Sequence, residues 1–214
     1  MNLDISFLRG KYTTRNLEVD QMDKCPFKQF ELWFKDALDA ELCEPNAFAL
    51  STVGKDMMPS SRNVLLKTFD TDGFVFFTNY KSDKAKHIEE NPQAAALFSW
   101  LELERQVKIQ GKIEKIPTSQ SLKYFLSRPK GSQLGAWVSH QSSVISSRSL
   151  LEQKFDEIKR KFSNNEIPFP DFWGGYVIIP TKIEFWQGGD DRLHDRFLYE
   201  LQDDNSWTIK RLAP

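Results

Sequence analysis

Alternating apolar and polar positions predict a chain built mainly from short β-strands. The clearest run is 105–116, where Val107, Ile109 and Ile113 alternate with polar residues, so one strand face is expected to be buried. Hairpin-length turns, such as the one from Asp70 to Gly73, separate neighbouring runs. The predicted strands cover residues 47–53, 61–69, 74–78, 94–100, 105–116, 175–179, 183–187, 196–201 and 207–211.

A second spacing, of three and four residues, predicts helices between these strands. The first begins at Phe27, and its expected core stripe is Phe30, Trp33, Phe34, Leu38 and Leu42. Later helices are predicted from Ser82 to Glu90, from Pro117 through Arg128, over 132–139, and through Phe162 from a capping box of Ser149 and Glu152. Short antiparallel strands with inserted helices predict a mainly β (α+β) fold, a closed or half-closed antiparallel barrel.

Composition narrows the class of protein. A chain of 214 residues suits one domain, here expected over 25–214, with the polar segment 1–24 as a flexible arm. The net charge of -1 argues against nucleic-acid binding, so any basic site must be local. Cys25 and Cys43 have no metal-ligand spacing, and neither a signal peptide nor a membrane-spanning stretch is evident. We therefore expect a soluble cytoplasmic protein without a metal site.

The segment 184–197 carries the densest set of reactive side chains. Arg192, His194 and Arg196 lie two residues apart, so in an extended chain all three share one face. Two cations and an imidazole would then converge on one anionic or electron-rich ligand. The alternative is an exposed hairpin whose charges are merely solvated.

Two further segments each carry candidate ligand-binding side chains. Tyr124, Arg128 and Ser132 are spaced by four residues, which on successive helical turns forms a cradle suited to a phosphate monoester. Pro129 breaks a regular helix, so the last turn must form anew. The run from Arg62 to Lys67 places cations at both ends of an apolar stretch. A solvent-facing helix and an ordinary strand are the alternatives.

Three sequence motifs resemble the C-terminal signature of the pyridoxine/pyridoxamine 5'-phosphate oxidase family, whose members use flavin mononucleotide (FMN). They are Trp186-Gln187-Gly188, Arg192 through Arg196, and Arg211-Leu212-Ala213-Pro214. The resemblance implies a split β-barrel homodimer with FMN in the cleft between subunits. It also implies oxidation of pyridoxine 5'-phosphate or pyridoxamine 5'-phosphate to pyridoxal 5'-phosphate, with O2 consumed and H2O2 released.

The same resemblance assigns residues to the site. FMN would contact Arg62, Asn63, Val64, Leu65, Leu66, Lys67, Phe77, Thr78, Lys84, Gln106, Gln141, Ser142, Trp186 and Arg196. The substrate would contact Arg9, Tyr12, Lys67, Tyr124, Arg128, Ser132, Arg192 and His194, with Arg9 and Tyr12 in a lid. Asp83 departs from the family, which commonly has a basic residue there, and Lys81 and Lys86 are candidates to offset its charge.

The implied reaction gives Arg192 and His194 different roles, and two other functions remain as alternatives. Oxidation of an alcohol or amine needs a redox cofactor, because no side chain accepts two electrons. A guanidinium stays protonated, so Arg192 is expected to orient the substrate ring, and the imidazole of His194 to handle protons. The main rival is a flavin reductase or flavin store, which has no use for Tyr124, Arg128 and Ser132. A module that binds pyridoxal phosphate without catalysis is a further alternative.

Overall fold

The computed structural model describes residues 17–138, 141–163 and 166–214. Five α-helices lie in this part of the chain: α1 (Pro26–Asp39), α2 (Asp83–Glu90), α3 (Thr118–Ser127), α4 (Lys130–Val138) and α5 (Arg148–Lys161). The strands are β1 (Ala47–Val53), β2 (Pro59–Leu65), β3 (Thr68–Asp70), β4 (Gly73–Asn79), β5 (Gln93–Trp100), β6 (Arg105–Lys115), β7 (Trp173–Gln187), β8 (Asp195–Leu201) and β9 (Trp207–Leu212). No helix among the described residues has an apolar stretch that could cross a bilayer.

One sheet contains all nine strands in the order β2-β1-β5-β6-β7-β4-β3, and β8 joins β7 to β9. The ladders of β4 and of β8 with β7 are antiparallel and use opposite ends of β7, residues 173–178 and 182–187. The predicted fold class, mainly antiparallel β with inserted helices, is confirmed. The alternation predicted for β6 is confirmed as well, since Val107, Ile109 and Ile113 are buried.

The described chain forms two compact units. The first unit comprises 17–48, Ala96–Gln110 and Pro180–Pro214. Its core is aromatic: Phe30 meets Phe98 with ring centroids 5.1 Å apart, and Trp33 meets Phe185 at 5.2 Å. The predicted stripe on α1 is correct for Phe30 and Trp33, but Leu38 is 53% exposed. Leu42 lies beyond the helix, which ends at Asp39.

The second unit comprises Ala49–Ala95 and Gly111–Ile179. Helices α3, α4 and α5 pack around a buried cluster that contains Phe125, Leu134 and Trp173. Phe155 and Ile158 of α5 cover this cluster from outside. Burial of such aromatic and aliphatic groups is the main source of stability in a unit of this size.

Two strand predictions were wrong in their boundaries. The run 61–69 is divided at Leu66 and Lys67, because β2 pairs with β1 whereas β3 pairs with β4. The runs 175–179 and 183–187 form the single strand β7. Pro180 does not end β7. Residues 179–181 lie between the part of β7 that pairs with β4 and the part that pairs with β8, so the missing N–H of Pro180 removes no hydrogen bond from either ladder.

The predicted capping box of α5 was also wrong. Ser147, not Ser149, is the N-cap, and its Oγ accepts a hydrogen bond from the Leu150 N–H. Glu152 is engaged by Arg148, whose Nε lies 2.9 Å from its carboxylate. The helix therefore begins two residues earlier than the sequence pattern indicated.

Candidate active site

A cavity of about 960 Å³ in the second unit brings together side chains from β2, β4 and α2 to α4. Its volume is in the range of small-molecule sites. Of the residues predicted to bind cofactor or substrate, it is lined by Arg62, Asn63, Val64, Leu65, Lys67, Phe77, Thr78, Lys84, Tyr124, Arg128, Ser132, Gln141 and Ser142. Leu66 is instead buried, with 4% of its surface exposed.

Arg62 enters this cavity from β2 with its guanidinium held by neutral acceptors. Nη1 donates to the Leu50 carbonyl at 3.1 Å and to Thr52 Oγ1 at 2.7 Å, and Nη2 donates to Ser60 Oγ at 2.6 Å. Burial lowers the pKa of Arg62, and the charge of Asp83 opposes that shift. A guanidinium nevertheless remains charged at neutral pH, so Arg62 is a fixed cation.

Lys84 lies in the first turn of α2, where backbone N–H groups and the helix dipole favour an anion. Its Nζ is 2.9 Å from Gln141 Oε1 and 3.2 Å from Thr78 Oγ1, both uncharged groups. Burial, and then the nearby charge of Arg62, lower the pKa of Lys84 to about 8. An ammonium held this way is stabilised by any anion that binds beside it.

The Gln141-Ser142 pair predicted as a phosphate contact reaches the same place. Ser142 Oγ accepts the Asp83 N–H at 3.3 Å, so this loop lies at the N-terminus of α2. Asp83 is the one acidic residue among the described residues that line the cavity. Lys86 offsets the charge of Asp83 through an ion pair of 3.2 Å. Lys86 was one of the two lysines that the sequence suggested for this role.

The proposed phosphate cradle forms across a helix break. Helix α3 ends at Ser127 and α4 begins at Lys130, which confirms that Pro129 interrupts the helix. The Arg128 guanidinium lies over the Trp173 ring, with Cζ 4.6 Å from its centroid. Arg128 Nη1 is buried and has no hydrogen-bond partner among the described residues. A buried, unsatisfied cationic donor is the group that an anionic ligand would complete.

Tyr124 stacks on Phe77, with ring centroids 3.9 Å apart and planes 20° from parallel. Burial raises the pKa of Tyr124, and the charge of Arg128 opposes that shift. The phenol is therefore protonated at neutral pH and is able to donate a hydrogen bond into the cavity.

A smaller pocket, of about 300 Å³, lies in the first unit. Gln106, Trp186 and Arg196, all predicted flavin contacts, line it together with Lys108 and Glu184. Arg196 donates to Glu184 through Nε and Nη2, both at 2.8 Å, and through Nη1 to the Ala213 carbonyl at 2.8 Å. The guanidinium is thus fixed on three sides.

Glu184 is a residue that the sequence reasoning missed. It is 6% exposed and pairs with both Arg196 and Lys108. Burial raises its pKa, but the hydrogen bonds from Arg196 and Lys108 outweigh burial and hold the pKa below the ordinary value. The available signal was a carboxylate between the apolar Ile183 and Phe185, since a buried acid requires a cationic partner.

The prediction that Arg192, His194 and Arg196 share one face of an extended strand was wrong. Residues Asp190–Arg192 form a 3-10 turn, and Asp191 and Arg192 have left-handed backbones with φ of 52° and 65°. Only Arg196 belongs to β8. Neither Arg192 nor His194 is among the described residues that line the smaller pocket.

His194 is oriented by the loop that precedes β8. Its Nδ1 accepts a hydrogen bond from the Gly189 N–H at 3.1 Å, and its ring lies 4.7 Å from that of Trp186. In the neutral imidazole the proton therefore lies on Nε2. Gly189 is required here, because a Cβ would stand 2.3 Å from the Leu193 carbonyl oxygen. Arg9 and Tyr12, the predicted lid contacts, lie outside the described residues.

Comparison with known proteins decides the family. The family model for pyridoxamine 5'-phosphate oxidase matches residues 34–162, and that for the pyridoxine 5'-phosphate oxidase C-terminal dimerisation region matches 173–214. The chain belongs to the pyridoxine/pyridoxamine 5'-phosphate oxidase family. A family member from Aliarcobacter butzleri is 73% identical over 99% of this chain and the whole of that protein, and one from Rippkaea orientalis is 62% identical with the same coverage.

Two solved structures share this fold. PhzG from Burkholderia lata, determined with tetrahydrophenazine-1-carboxylic acid, has a TM-score of 0.88 and 30% identity, and covers 96% of this chain and all of that one. A pyridoxamine 5'-phosphate oxidase-related, FMN-binding protein from Nostoc punctiforme has a TM-score of 0.73 at 16% identity, over 90% of this chain and all of that one. These matches confirm the predicted split-barrel fold class.

Proposed function

We propose that this oxidase-family protein converts pyridoxine 5'-phosphate or pyridoxamine 5'-phosphate to pyridoxal 5'-phosphate, using FMN and O2 and releasing H2O2. One observation carries the proposal. A single cavity holds both the predicted flavin-phosphate residues, around Arg62 and Lys84, and the predicted substrate cradle of Tyr124, Arg128 and Ser132. A flavin reductase or a flavin store would need only the first set. The relatives that match this chain over their full length are named pyridoxine/pyridoxamine 5'-phosphate oxidase, which supports the same reaction.

The residues of the cavity fit FMN by their chemistry. Arg62, Lys84 and the N-terminus of α2 supply cationic and N–H donors for its phosphate. Val64 and Leu65 of β2 line the cavity and offer apolar surface to its ring. When bound, FMN supplies the two-electron oxidation that no side chain performs.

The protein's own groups then bind and orient the substrate. Arg128 Nη1 and the hydroxyls of Tyr124 and Ser132 would donate to the substrate phosphate, together with Lys67, which lines the same cavity. Holding the phosphate fixes the reacting carbon relative to the ring, which is the main catalytic effect of such anchoring. Arg192 would orient the pyridine ring, and His194 would carry or accept a proton at Nε2.

We propose further that FMN lies at the interface of a homodimer. The matched C-terminal dimerisation region, 173–214, contains Trp186, Arg192, His194 and Arg196, which are four of the predicted ligand contacts of the first unit. The lid formed by 1–24, the single domain over 25–214 and the cytoplasmic location stay predictions from the sequence.

Anaerobic titration tests the reaction. Pyridoxine 5'-phosphate added to the FMN-loaded protein without oxygen should bleach the yellow absorbance, and air should restore it with one H2O2 per pyridoxal 5'-phosphate. Unphosphorylated pyridoxine, the matched control, should bleach it far more slowly because the cradle is not engaged. Bleaching by a reduced nicotinamide but not by pyridoxine or pyridoxamine 5'-phosphate would favour a flavin reductase instead.

The pKa of Lys84, about 8, predicts that FMN binding weakens in alkaline solution. A phosphate monoester is already a dianion at pH 8, so a change in binding near this pH comes from a group of the protein. As pH rises through 8 the ligand-free site loses its ammonium, and binding must then take up a proton. We expect the FMN Kd, measured by flavin fluorescence quenching, to rise by up to about tenfold per pH unit above pH 8.

Two controls isolate this effect. Lys84→Arg keeps a charge throughout the range, so its FMN Kd should vary little with pH. Riboflavin, which lacks the phosphate, should bind with a flat pH dependence. A wild-type FMN Kd that is constant from about pH 7 to about pH 9.5 would show that Lys84 does not contact the bound phosphate.

A further inference from the structure

The Arg128 guanidinium is held by aromatic rings, whereas several other arginines of the protein are held by carboxylates. Arg196 pairs with Glu184, Arg105 with Asp36 and Arg211 with Asp195. The groups placed on the Arg128 guanidinium are instead aromatic: Cζ lies 4.6 Å from the ring centroid of Trp173 and 5.9 Å from that of Phe125. No carboxylate within ion-pair distance of Arg128 occurs in the described ranges.

An aromatic face orients a cation without neutralising it. The ring quadrupole attracts the guanidinium, and the attraction is strongest where water is excluded. Burial accordingly lowers the pKa of Arg128, yet no acid of the described residues cancels its charge. Its Nη1 is buried and lacks a hydrogen-bond partner in the described part of the chain, so that donor is kept for a ligand.

Trp173 also supports the second member of the cradle. Its ring is 5.4 Å from Phe77 with planes 11° apart, and 6.1 Å from Tyr124 with planes 9° apart. Phe77 in turn stacks on Tyr124 at 3.9 Å. The three rings are therefore close to parallel, and the orientation of Trp173 is passed to Tyr124 as well as to Arg128.

Trp173 itself is rigidly placed. It is 6% exposed, belongs to the core cluster of the second unit and pairs with Asn79 in the β4–β7 ladder. The next residue must be Gly174, because a Cβ there would stand 2.2 Å from the Tyr80 hydroxyl. The backbone of β7 thus fixes the ring on which Arg128 lies.

We propose that Trp173 is a positioning residue for phosphate recognition: it holds Arg128 and Tyr124 in place while leaving the full charge of Arg128 to the phosphate group of the ligand. The identity of that ligand rests on the proposed function. The role of Trp173 rests on the contacts above, and a phosphate-binding measurement tests it without turnover.

Trp173→Leu removes the aromatic face, and Trp173→Phe retains a smaller one. We expect Trp173→Leu to raise KM for pyridoxine 5'-phosphate, and the Kd for pyridoxal 5'-phosphate, about tenfold. The value of kcat should change less than about threefold, since the reacting groups are untouched. Trp173→Phe should recover most of the affinity. With unphosphorylated pyridoxine, which does not engage the cradle, kcat/KM should fall less than with pyridoxine 5'-phosphate in both variants.

A double-mutant cycle separates positioning from packing. In an Arg128→Ala background, Trp173→Leu should raise the Kd for pyridoxal 5'-phosphate by clearly less than the roughly tenfold increase expected in wild type, since only the positioning of Tyr124 is then lost. Independent effects in the cycle, or equal losses for phosphorylated and unphosphorylated substrates, would overturn the proposal. If Trp173→Leu does not fold, Trp173→Met fills the core with a flexible side chain that also lacks a π face.

Failure of the wider functional proposal would look different. The oxidase activity would be contradicted if the wild-type protein bound pyridoxal 5'-phosphate and orthophosphate but oxidised neither pyridoxine 5'-phosphate nor pyridoxamine 5'-phosphate. The double-mutant cycle at Trp173 could still be measured in that case, because it depends on binding alone. Wild-type oxidase activity combined with an unchanged KM in Trp173→Leu would contradict the role of Trp173 alone.

Discussion

Arg192→Met should lower kcat about 100-fold or more while FMN remains bound, in line with the loss of one oriented donor at a reacting group. Arg192 is exposed and ends the 3-10 turn with a left-handed backbone, directly after the left-handed Asp191. Two adjacent non-glycine residues in this region store strain, and such strain clusters at functional sites. Stopped-flow reduction of the flavin by pyridoxine 5'-phosphate measures the loss, and the flavin absorbance of the purified variant measures cofactor content.

Two substitutions control for the turn itself. Asp191→Asn suits a left-handed backbone and removes the neighbouring charge, so kcat should stay within about twofold of wild type. Arg192→Lys keeps the charge but loses the planar pair of donors, and its kcat should lie between those of wild type and Arg192→Met. Full activity in Arg192→Met would show that the guanidinium has no part in turnover.

Glu184→Ala should lower the free energy of unfolding by about 3 kcal/mol, the usual cost of breaking a buried ion pair from one side. Glu184 is 6% exposed, and its loss leaves Arg196 and Lys108 without their shared carboxylate. Urea denaturation of the FMN-free protein measures the stability. FMN affinity should fall as well, because Arg196 loses two of its three fixed hydrogen bonds.

Glu200→Ala is the matched control for Glu184→Ala. Glu200 also pairs with two cations, Lys182 and Lys210, but its ion pairs are exposed to solvent on the lysine side. Surface ion pairs contribute little because water screens them, so this change should affect stability far less. Equal losses in the two variants would show that burial of Glu184 is not the source of its effect.

The pH dependence of Glu184 has a defined sign. Its pKa in the folded protein lies below the ordinary value of 4.5, since the bonds from Arg196 and Lys108 outweigh burial. Its contribution to stability is therefore present above pH 4.5 and is lost as pH falls through the folded-state pKa. The stability difference between wild type and Glu184→Gln should accordingly shrink below pH 4.5. A difference that stays constant there would contradict the shift.

Strand and helix positions were largely predictable because they depend on local spacing. The period of two in β6 and the period of three to four in α1 both follow from burying one face. Boundaries were less predictable where strand pairing decides them. Only the exchange of partners explains why β2 and β3 separate while β7 continues past Pro180.

The candidate site divides in the same way. Tyr124, Arg128 and the break at Pro129 could be read from spacing and from the chemistry of proline. The partners of Glu184 and Trp173 could not be predicted from the sequence, because their contacts with Arg196 and Arg128 form across the fold. The prediction of an extended backbone at Arg192 was wrong, because Arg192 ends a 3-10 turn in a left-handed conformation.

The sequence by itself determined the family, the fold class and the residue types of the chemistry, since periodicity and motif identity are properties of neighbours along the chain. The tertiary structure alone decided which distant groups meet. It placed Gln141 beside Lys84 and Trp173 beneath Arg128. It paired the Arg196 guanidinium with Glu184, and it left Nη1 of Arg128 without a hydrogen-bond partner among the described residues. Burial and charge pairing depend on long-range packing, which no local pattern specifies.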